Sequence, residues 1–122
     1  MRVTLEAETL PELFTRAAQE VSRHLYGSEP PGDAVREKIV LEAPDLSALL
    51  YQWIEALLRA FKEQRMVFGR FEIHQCEASG NLWRLRADVT GDWSPAQTRT
   101  LQCRRVNVIK MVSRFEAECE WD

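Results

Sequence analysis

Cysteine is scarce in this sequence, and no two cysteines stand close together. The three that occur, Cys76, Cys103 and Cys119, are odd in number and contain no CxxC pair. Disulfide frameworks and zinc sites need paired or clustered cysteines, so neither is predicted. We instead expect three small hydrophobic core residues and a reducing, cytoplasmic location.

Long apolar runs and an excess of basic residues are also missing. The apolar stretches are only a few residues long, and the first residues lack the basic-then-apolar layout of a secretory signal, so no membrane association is predicted. The formal net charge of −3 argues against a general nucleic-acid binder, and direct RNA binding is not expected. Without a Pro, Gly or Ser-rich linker, residues 1–122 are predicted to form one domain.

Common catalytic signatures are absent as well. The sequence has no GxGxxG, GxxxxGK[ST], HExxH or GxSxG motif, which favours a protein that is not an enzyme. His24 and His74 are the only histidines, and neither has a ligand or triad partner nearby in sequence. We expect both to be ordinary surface or boundary residues, and a small enzyme using His74 with a neighbouring acid is a third alternative.

The chain opens with a strand signal followed by a helix signal. Residues 2–8 alternate apolar and polar side chains, which predicts a strand. Thr9 and Glu12 have the spacing of a capping box ahead of a helix predicted over 10–26. Gly27 is well placed to end that helix in a left-handed conformation.

A second helix, predicted over 45–64, has the strongest pattern in the chain. It follows a strand predicted over 35–43, and Asp45 is a good N-cap. Its apolar positions recur at helical spacing: Leu46, Leu49, Leu50, Trp53, Ile54, Leu57, Leu58 and Phe61. Burial stabilises by about 0.8 kcal/mol per methylene, so this helix must lie across a sheet.

Four strand-like runs fill the remainder of the chain. They are predicted at 66–77, 81–90, 101–109 and 115–121, and they form two successive hairpins. The order β-α-β-α-β-β-β-β predicts an α+β fold in which two helices pack on one face of a mixed, mostly antiparallel sheet. Trp93 falls in a predicted turn and is the candidate exposed aromatic anchor for a partner.

Basic residues are concentrated near the end of the chain. No acid occurs between Asp92 and Glu116, a window that holds Arg99, Arg104, Arg105, Lys110 and Arg114. Together with Arg84 and Arg86 on the polar face of a strand, Arg104 and Arg105 are candidates for contact with phosphate or with an acidic protein surface. Alternatively, these charges guard strand edges and pair across a ladder with Glu116, Glu118 and Glu120.

Three long segments share their residue spacing with one known protein family. DLSALLYQWIEALLRAFKEQRMVFGRFEI is similar to the family pattern DLESLLVDWLNELLYLF followed by LVFSEFEV. AETLPELFTRAA is similar to GKTLEEAFENAA, and NLWRLRADVTGDWSP is similar to YRLTARVRGEPFDP. These segments cover residues 2–95 with consistent spacing, and on them the chain resembles the archease family. FEAECEWD matches the closing strand WRARVVFD in alternation and in its last acid, whereas the family's KAVTYH segment corresponds either to 101–106 or to 109–113.

The resemblance implies an accessory protein, or chaperone, for an RNA-splicing ligase in tRNA splicing. Archeases bind a divalent cation, Ca²⁺ or Mg²⁺, and help the ligase to load GMP onto its active-site histidine. Their acidic site uses an Asp in an HTADIG-like N-terminal motif, which has no counterpart here, and an Asp near the C-terminus, which corresponds to Asp122. The alternative is a metal-free binding or homo-oligomerising module on the same fold with no link to a ligase.

Overall fold

Eight elements follow one another in the predicted order in the computed structural model, which describes residues 2–26, 32–93 and 102–121. They are β1 (Arg2–Ala7), α1 (Leu10–Tyr26), β2 (Val35–Ala43), α2 (Leu46–Gln64), β3 (Met66–Ser79), β4 (Leu82–Trp93), β5 (Cys103–Lys110) and β6 (Phe115–Trp121). The α+β class is confirmed.

The strands lie in two three-stranded sheets instead of the single sheet expected from the sequence. One sheet has the order β1-β6-β5 and the other β2-β4-β3, and every pairing within them is antiparallel. α1 contacts β1 and β6 of the first sheet and β3 of the second, and α2 likewise contacts strands of both sheets. The core is therefore closed by two sheets that share the apolar faces of the same two helices, an arrangement that strand periodicity does not reveal.

The first helix begins with half of the predicted capping box. Glu12 N donates to Thr9 Oγ1 at 3.3 Å, as the sequence predicts. The Glu12 carboxylate instead accepts from Arg16 Nη2 at 2.6 Å, one helical turn further on. The predicted terminator, Gly27, lies outside the described residues.

The second helix is capped at both ends and carries the centre of the core. Asp45 Oδ1 accepts from Ala48 N at 2.8 Å, and Arg65 ends the helix in the left-handed conformation with φ 57°. The buried face predicted for this helix is confirmed, and Trp53 lies at its middle, fully buried. Trp53 Nε1 donates to the carbonyl oxygen of Phe14 at 2.9 Å, which joins α2 to α1.

β3 and β4 form a long, irregular hairpin. Its turn is made by Gly80 and Asn81, and Gly80 has a φ of +64°, a conformation that favours glycine. Register shifts occur between Phe68 and Arg70 and between Ile73 and Gln75, each marking a bulge in β3. β4 continues through Trp93, so the turn predicted at this residue is wrong: the ladder with β3 extends to the pair Met66 and Trp93.

Candidate functional site

The tip of the β5–β6 hairpin exposes apolar side chains to solvent. β5 ends at Lys110 and β6 begins at Phe115, and Met111 N donates to Arg114 O at 2.8 Å to close the loop between them. Three exposed large hydrophobic residues occur at this tip: Ile109, Met111 and Val112, the last with its side chain fully in solvent. We call residues 109–114 the hairpin tip.

Cations flank these apolar side chains. Lys110 and Arg114 belong to the hairpin tip, and both are exposed. Arg114 Nε lies 3.8 Å from Glu6 Oε2 on β1, and the Arg114 side chain is 45% exposed. An apolar protrusion bordered by positive charge is suited to an apolar recess with an acidic rim on another protein.

The four arginines singled out from the sequence are divided between the two sheets. Arg84 and Arg86 lie on β4, and Arg104 and Arg105 lie on β5. Arg84 Nε is 3.5 Å from Glu42 Oε2 on the neighbouring strand β2. The structure therefore does not bring the four residues onto one strand ladder, and their contact with phosphate or a partner stays a prediction.

Glutamates of β6 pair mainly across the ladder with β1. The register sets Glu120 directly between Arg2 of β1 and Arg105 of β5. Arg2 Nε lies 3.2 Å from Glu118 Oε1, and its Nη2 lies 3.9 Å from Glu120 Oε2. Cross-strand pairing of these acids with the arginines of the basic window was predicted; between described residues, Glu118 and Glu120 form ion pairs with Arg2. Asp122, the predicted cation ligand, lies outside the described residues.

Trp93 is exposed, as the sequence suggested. It is the last residue of β4, and its side chain is 59% accessible. Asp92 Oδ1 accepts from the backbone N–H of Trp93 at 2.8 Å. A tryptophan with this exposure is available to anchor a protein partner. Met66, the residue that pairs with Trp93 on β3, is buried in the core.

A histidine and two carboxylates meet on the outer face of the β2-β4-β3 sheet. His74 Nε2 lies 2.9 Å from Asp88 Oδ2, where the ring N–H donates to the carboxylate, and 4.0 Å from Glu72 Oε2. Arg36 Nη2 approaches the same Asp88 oxygen at 3.8 Å, and Lys38 is paired with Asp88 in the ladder. His74 is exposed, as expected for a surface residue, and its hydrogen-bond partner Asp88 lies 14 positions further along the chain.

The electrostatics of this cluster centre on Asp88. The hydrogen bond from His74 holds the pKa of Asp88 below its usual value; partial desolvation opposes this effect, and the charges of His74, Arg36 and Lys38 reinforce it. One atom each from Glu72, His74 and Asp88 lies within 4.8 Å of the others, a spacing that a metal ion can bridge. A nitrogen and two oxygens suit a transition metal better than Ca²⁺ or Mg²⁺, and the adjacent Arg36 and Lys38 oppose any added cation.

A β-bulge explains why this cluster was missed in the sequence. If β3 and β4 paired regularly from the Gly80–Asn81 turn, Asp88 would lie opposite Ile73, whose side chain faces the core. The register shift between Ile73 and Gln75 moves Asp88 opposite Glu72 and leaves His74 as the extra residue beside them. Period-two alternation alone gives no signal for that shift.

The cysteines behave as the sequence predicts. All three are free; Cys103 and Cys119 are buried and Cys76 is half-buried. Burial raises the pKa of Cys103 to about 11 and the pKa values of Cys76 and Cys119 to about 12. The thiols are protonated at neutral pH, so none of them is an activated nucleophile.

Two sequence comparisons point to one family. The profile of the Archease protein family matches residues 1–119. The protein archease of Methanosarcina mazei is 26% identical over 85 residues, which cover 70% of this chain and 58% of that protein. The archease of Pyrobaculum calidifontis is 32% identical over 85 residues, which cover 69% of this chain and 56% of that protein. The chain thus spans less than two-thirds of the length of these curated relatives.

Solved structures show the same fold. The solution structure of protein 1598 from Methanobacterium thermoautotrophicum matches with a TM-score of 0.75 and 16% identity over 97% of this chain and 88% of that chain. The crystal structure of an archease from Thermotoga maritima, described as a possible chaperone, matches with a TM-score of 0.58 and 6% identity over 100% of this chain and 89% of that chain. At such low identity these likenesses concern the fold alone.

None of the helices in the described part of the chain is both long enough and apolar enough to span a bilayer.

Proposed function

This chain belongs to the archease family, and we propose that it is a non-catalytic protein cofactor, or chaperone, that assists an RNA-splicing ligase in tRNA processing. The observation that carries the proposal is the family match over residues 1–119, which takes in every helix and almost every strand residue of the fold. The partner is a protein, and the chain acts by docking on it.

The hairpin tip supports docking as the mode of action. Its exposed Met111 and Val112 make no contribution to the core, and Lys110 and Arg114 border them. A protein that assists another enzyme needs a surface that buries apolar area on contact and matches the charge of its partner. We assign the ligase-docking surface to this tip.

A divalent cation is a further prediction of the resemblance, but the described residues near the end of β6 do not fit one. Glu118 and Glu120 are the carboxylates available there, and both are engaged by the guanidinium of Arg2. Hard cations need several free oxygen ligands, and a fixed positive charge beside them opposes binding. The proposal therefore contains no step that passes through a metal ion.

The direct test is the loading of GMP onto an RNA-splicing ligase from the same organism. We expect this protein to raise the rate of formation of the ligase–GMP intermediate from GTP, and the double variant M111E/V112E to lose most of that effect. L82E is the matched control, because Leu82 is an exposed apolar residue at the other hairpin turn. No acceleration by the wild-type protein would contradict the proposal, and equal loss in L82E would contradict the assignment of the hairpin tip.

The second candidate is a metal-free binding module on the same fold, and the Arg2 ion pairs favour it. Because a ligand that binds only the folded state raises Tm, Ca²⁺ or Mg²⁺ at about 1 mM should leave Tm unchanged if no cation site exists. A rise in Tm that is lost in D122N would instead favour the cation-dependent family role. A pull-down of the ligase that depends on the hairpin tip separates docking on the ligase from docking elsewhere.

A further inference from the structure

Among the four edge strands, β2 is the one whose backbone forms no hydrogen bond with a helix side chain within the described residues. Each of the two sheets has two edge strands: β1 and β5 in the first, and β2 and β3 in the second. An uncovered edge presents a row of backbone donors and acceptors to a further strand.

Helix side chains bind the backbone of the other three edge strands. Arg16 Nη1 donates to Glu6 O of β1 at 2.7 Å, and Ser22 Oγ donates to Phe68 O of β3. At β5, the backbone N–H of Val108 donates to Ser47 Oγ at 2.9 Å. No comparable bond between described residues reaches the backbone of β2. The backbone donors and acceptors along its outer edge are therefore not bonded to a helix side chain, unlike those of the other three edge strands.

The middle of β2 is apolar and incompletely covered. Val40 faces outward, and its side chain is 69% exposed, the most exposed large hydrophobic residue within any described strand. Ile39 and Leu41 face the core beside it but are only half-buried. β2 is nine residues long, and its apolar centre, residues 39–41, lies between charged residues. An edge strand with an exposed apolar centre is a site where a further strand can be added.

The sequence of β2 is complementary to itself in an antiparallel register centred on Val40. In that register Val40 meets Val40 of a second copy, and Ile39 meets Leu41 of the second copy on the core-facing side. Lys38 then lies directly opposite Glu42 of the second copy on the outer face. Apolar residues meet apolar residues and opposite charges meet, which is the pattern that stabilises cross-strand pairs.

We propose that β2 pairs antiparallel with β2 of a second copy of this chain, forming a dimer with a continuous six-stranded sheet and a two-fold axis at Val40. The interface is isologous, since each surface contacts its own equivalent.

A row of charges across the outer face of the sheet supports the register centred on Val40. Within one chain Asp88 is paired with Lys38 and Glu42 lies 3.5 Å from Arg84. The dimer joins these two pairs into one row of alternating sign: Asp88, Lys38, then Glu42 and Arg84 of the second copy.

The first test is the mass of the purified protein in solution by light scattering, from about 1 μM to about 1 mM chain. We expect a concentration-dependent rise toward twice the chain mass of 14.2 kDa. V40K sets two lysines opposite each other at the axis and should halve the mass at high concentration. V112K is the matched control: Val112 is also an exposed valine, but it lies on the hairpin tip, so this variant should keep the wild-type mass.

A charge exchange tests the register itself. K38E alone and E42K alone each create two like-charge pairs across the interface, so each variant should be monomeric. An equimolar mixture of the two variants should regain the mass of two chains. In the mixed dimer, the acid introduced at position 38 of one chain faces the lysine introduced at position 42 of the other, and the unchanged Lys38 and Glu42 form the second attractive pair. Circular dichroism of each variant checks that the chain remains folded.

The proposal is overturned by a single-chain mass for the wild-type protein at every concentration, which would mean that Lys38 and Glu37 suffice to guard this edge. It is also overturned if V40K keeps the wild-type dimer mass, since another surface would then form the dimer. Failure of the mixture to regain the mass of two chains would rule out the register centred on Val40. The mass measurements do not involve the ligase, so the dimer can be disproved without affecting the proposed function. The GMP-loading assay likewise tests the proposed function whether or not the dimer forms.

Discussion

At the scale of single residues, the least expected feature is the pairing of His74 with Asp88. Both residues lie on a solvated face, and their 2.9 Å contact is supported by Arg36 and by Lys38 in the ladder. The contact stabilises the ionised form of Asp88 and ties the two strands of a hairpin together beside a bulge. The effect of the contact on the pKa of Asp88 can be measured directly.

Substituting His74 with Ala, which has no side-chain donor, should raise the pKa of Asp88 toward its ordinary value of 3.8, because the hydrogen bond from His74 is the largest cause of the lowered pKa. A carboxyl whose folded pKa is depressed contributes stability above its unfolded pKa and loses it as the pH falls through the folded pKa. The wild-type protein should therefore lose stability as the pH falls below about 3.8, and H74A should lose less over the same range.

The measurement is a carbon NMR titration of the Asp88 carboxyl group, followed by thermal unfolding at several acidic pH values. E72Q is the control, since Glu72 lies 4.0 Å from His74 and is not among the causes of the Asp88 shift. An unchanged pKa of Asp88 in H74A would contradict the assignment of His74 as the main cause of the shift.

The cysteine thiols give a second prediction at this scale. With pKa values of about 11 for Cys103 and about 12 for Cys119, the thiolate fraction at pH 8 is about a hundredfold or more below that of an unperturbed thiol. We expect very slow labelling by iodoacetamide in the folded protein and rapid labelling in denaturant, followed by mass spectrometry. Because these pKa values are raised in the folded state, stability should also fall as the pH rises above the ordinary thiol range. Rapid labelling of Cys119 under native conditions would contradict its burial.

At the scale of secondary-structure elements, the β3–β4 hairpin depends on one close approach between its strands. Gly91 of β4 pairs with Phe68 beside the first bulge of β3. A Cβ atom at Gly91 would overlap the carbonyl oxygen of Val67 and lie 2.6 Å from the Cα of Phe68. Backbone atoms held in a ladder have little freedom to move away, so only glycine fits.

Gly91→Ala should destabilise the protein by about 3 kcal/mol, because the added methyl group must displace backbone and not a flexible side chain. This corresponds to a fall in Tm of roughly 10 °C for a domain of this size. Gly80→Asn is the control: Asn tolerates the left-handed conformation, and no atom lies within 4 Å of the added Cβ. Thermal unfolding of the two variants checks the prediction, and equal Tm values would show that the hairpin relaxes around residue 91.

At the scale of the whole molecule, two helices hold two sheets together, and Trp53 lies where they meet. Its side chain is fully buried, its Nε1 donates to Phe14 O of α1, and its ring packs edge-on against Phe71 of β3 with 6.2 Å between ring centroids. A single side chain thus links both helices and one of the sheets.

Trp53→Ala should cost about 3 to 5 kcal/mol, since it leaves a large cavity and removes the hydrogen bond between the helices. Trp53→Phe should cost less, because it keeps an aromatic ring and loses mainly the hydrogen bond. Denaturant unfolding followed by circular dichroism measures both values. A cost for the Phe variant equal to that of the Ala variant would indicate that the hydrogen bond, and not the volume, dominates.

The sequence by itself determined the order of the eight elements and most of their buried faces. Asp45 and the apolar stripe ending at Phe61 predict α2 to within a residue, because capping and helical periodicity are local interactions read within a few turns. Strict alternation from Phe115 to Trp121 predicts β6 and its inward face in the same way. The archease resemblance likewise came from the spacing of these local patterns along the chain.

The tertiary structure alone decided which strands became neighbours. Nothing in β1 indicates that it pairs with β6, and the division into two sheets depends on how both helices fill the space between them. The bulge that brings Glu72, His74 and Asp88 together is decided at the same level, and so is the absence, among the described residues, of a hydrogen bond from a helix side chain to the backbone of β2. Strand pairing joins residues far apart in sequence, and its register is selected by packing against the rest of the core. Local periodicity therefore predicts which face of each strand is buried, but it does not predict which strands pair.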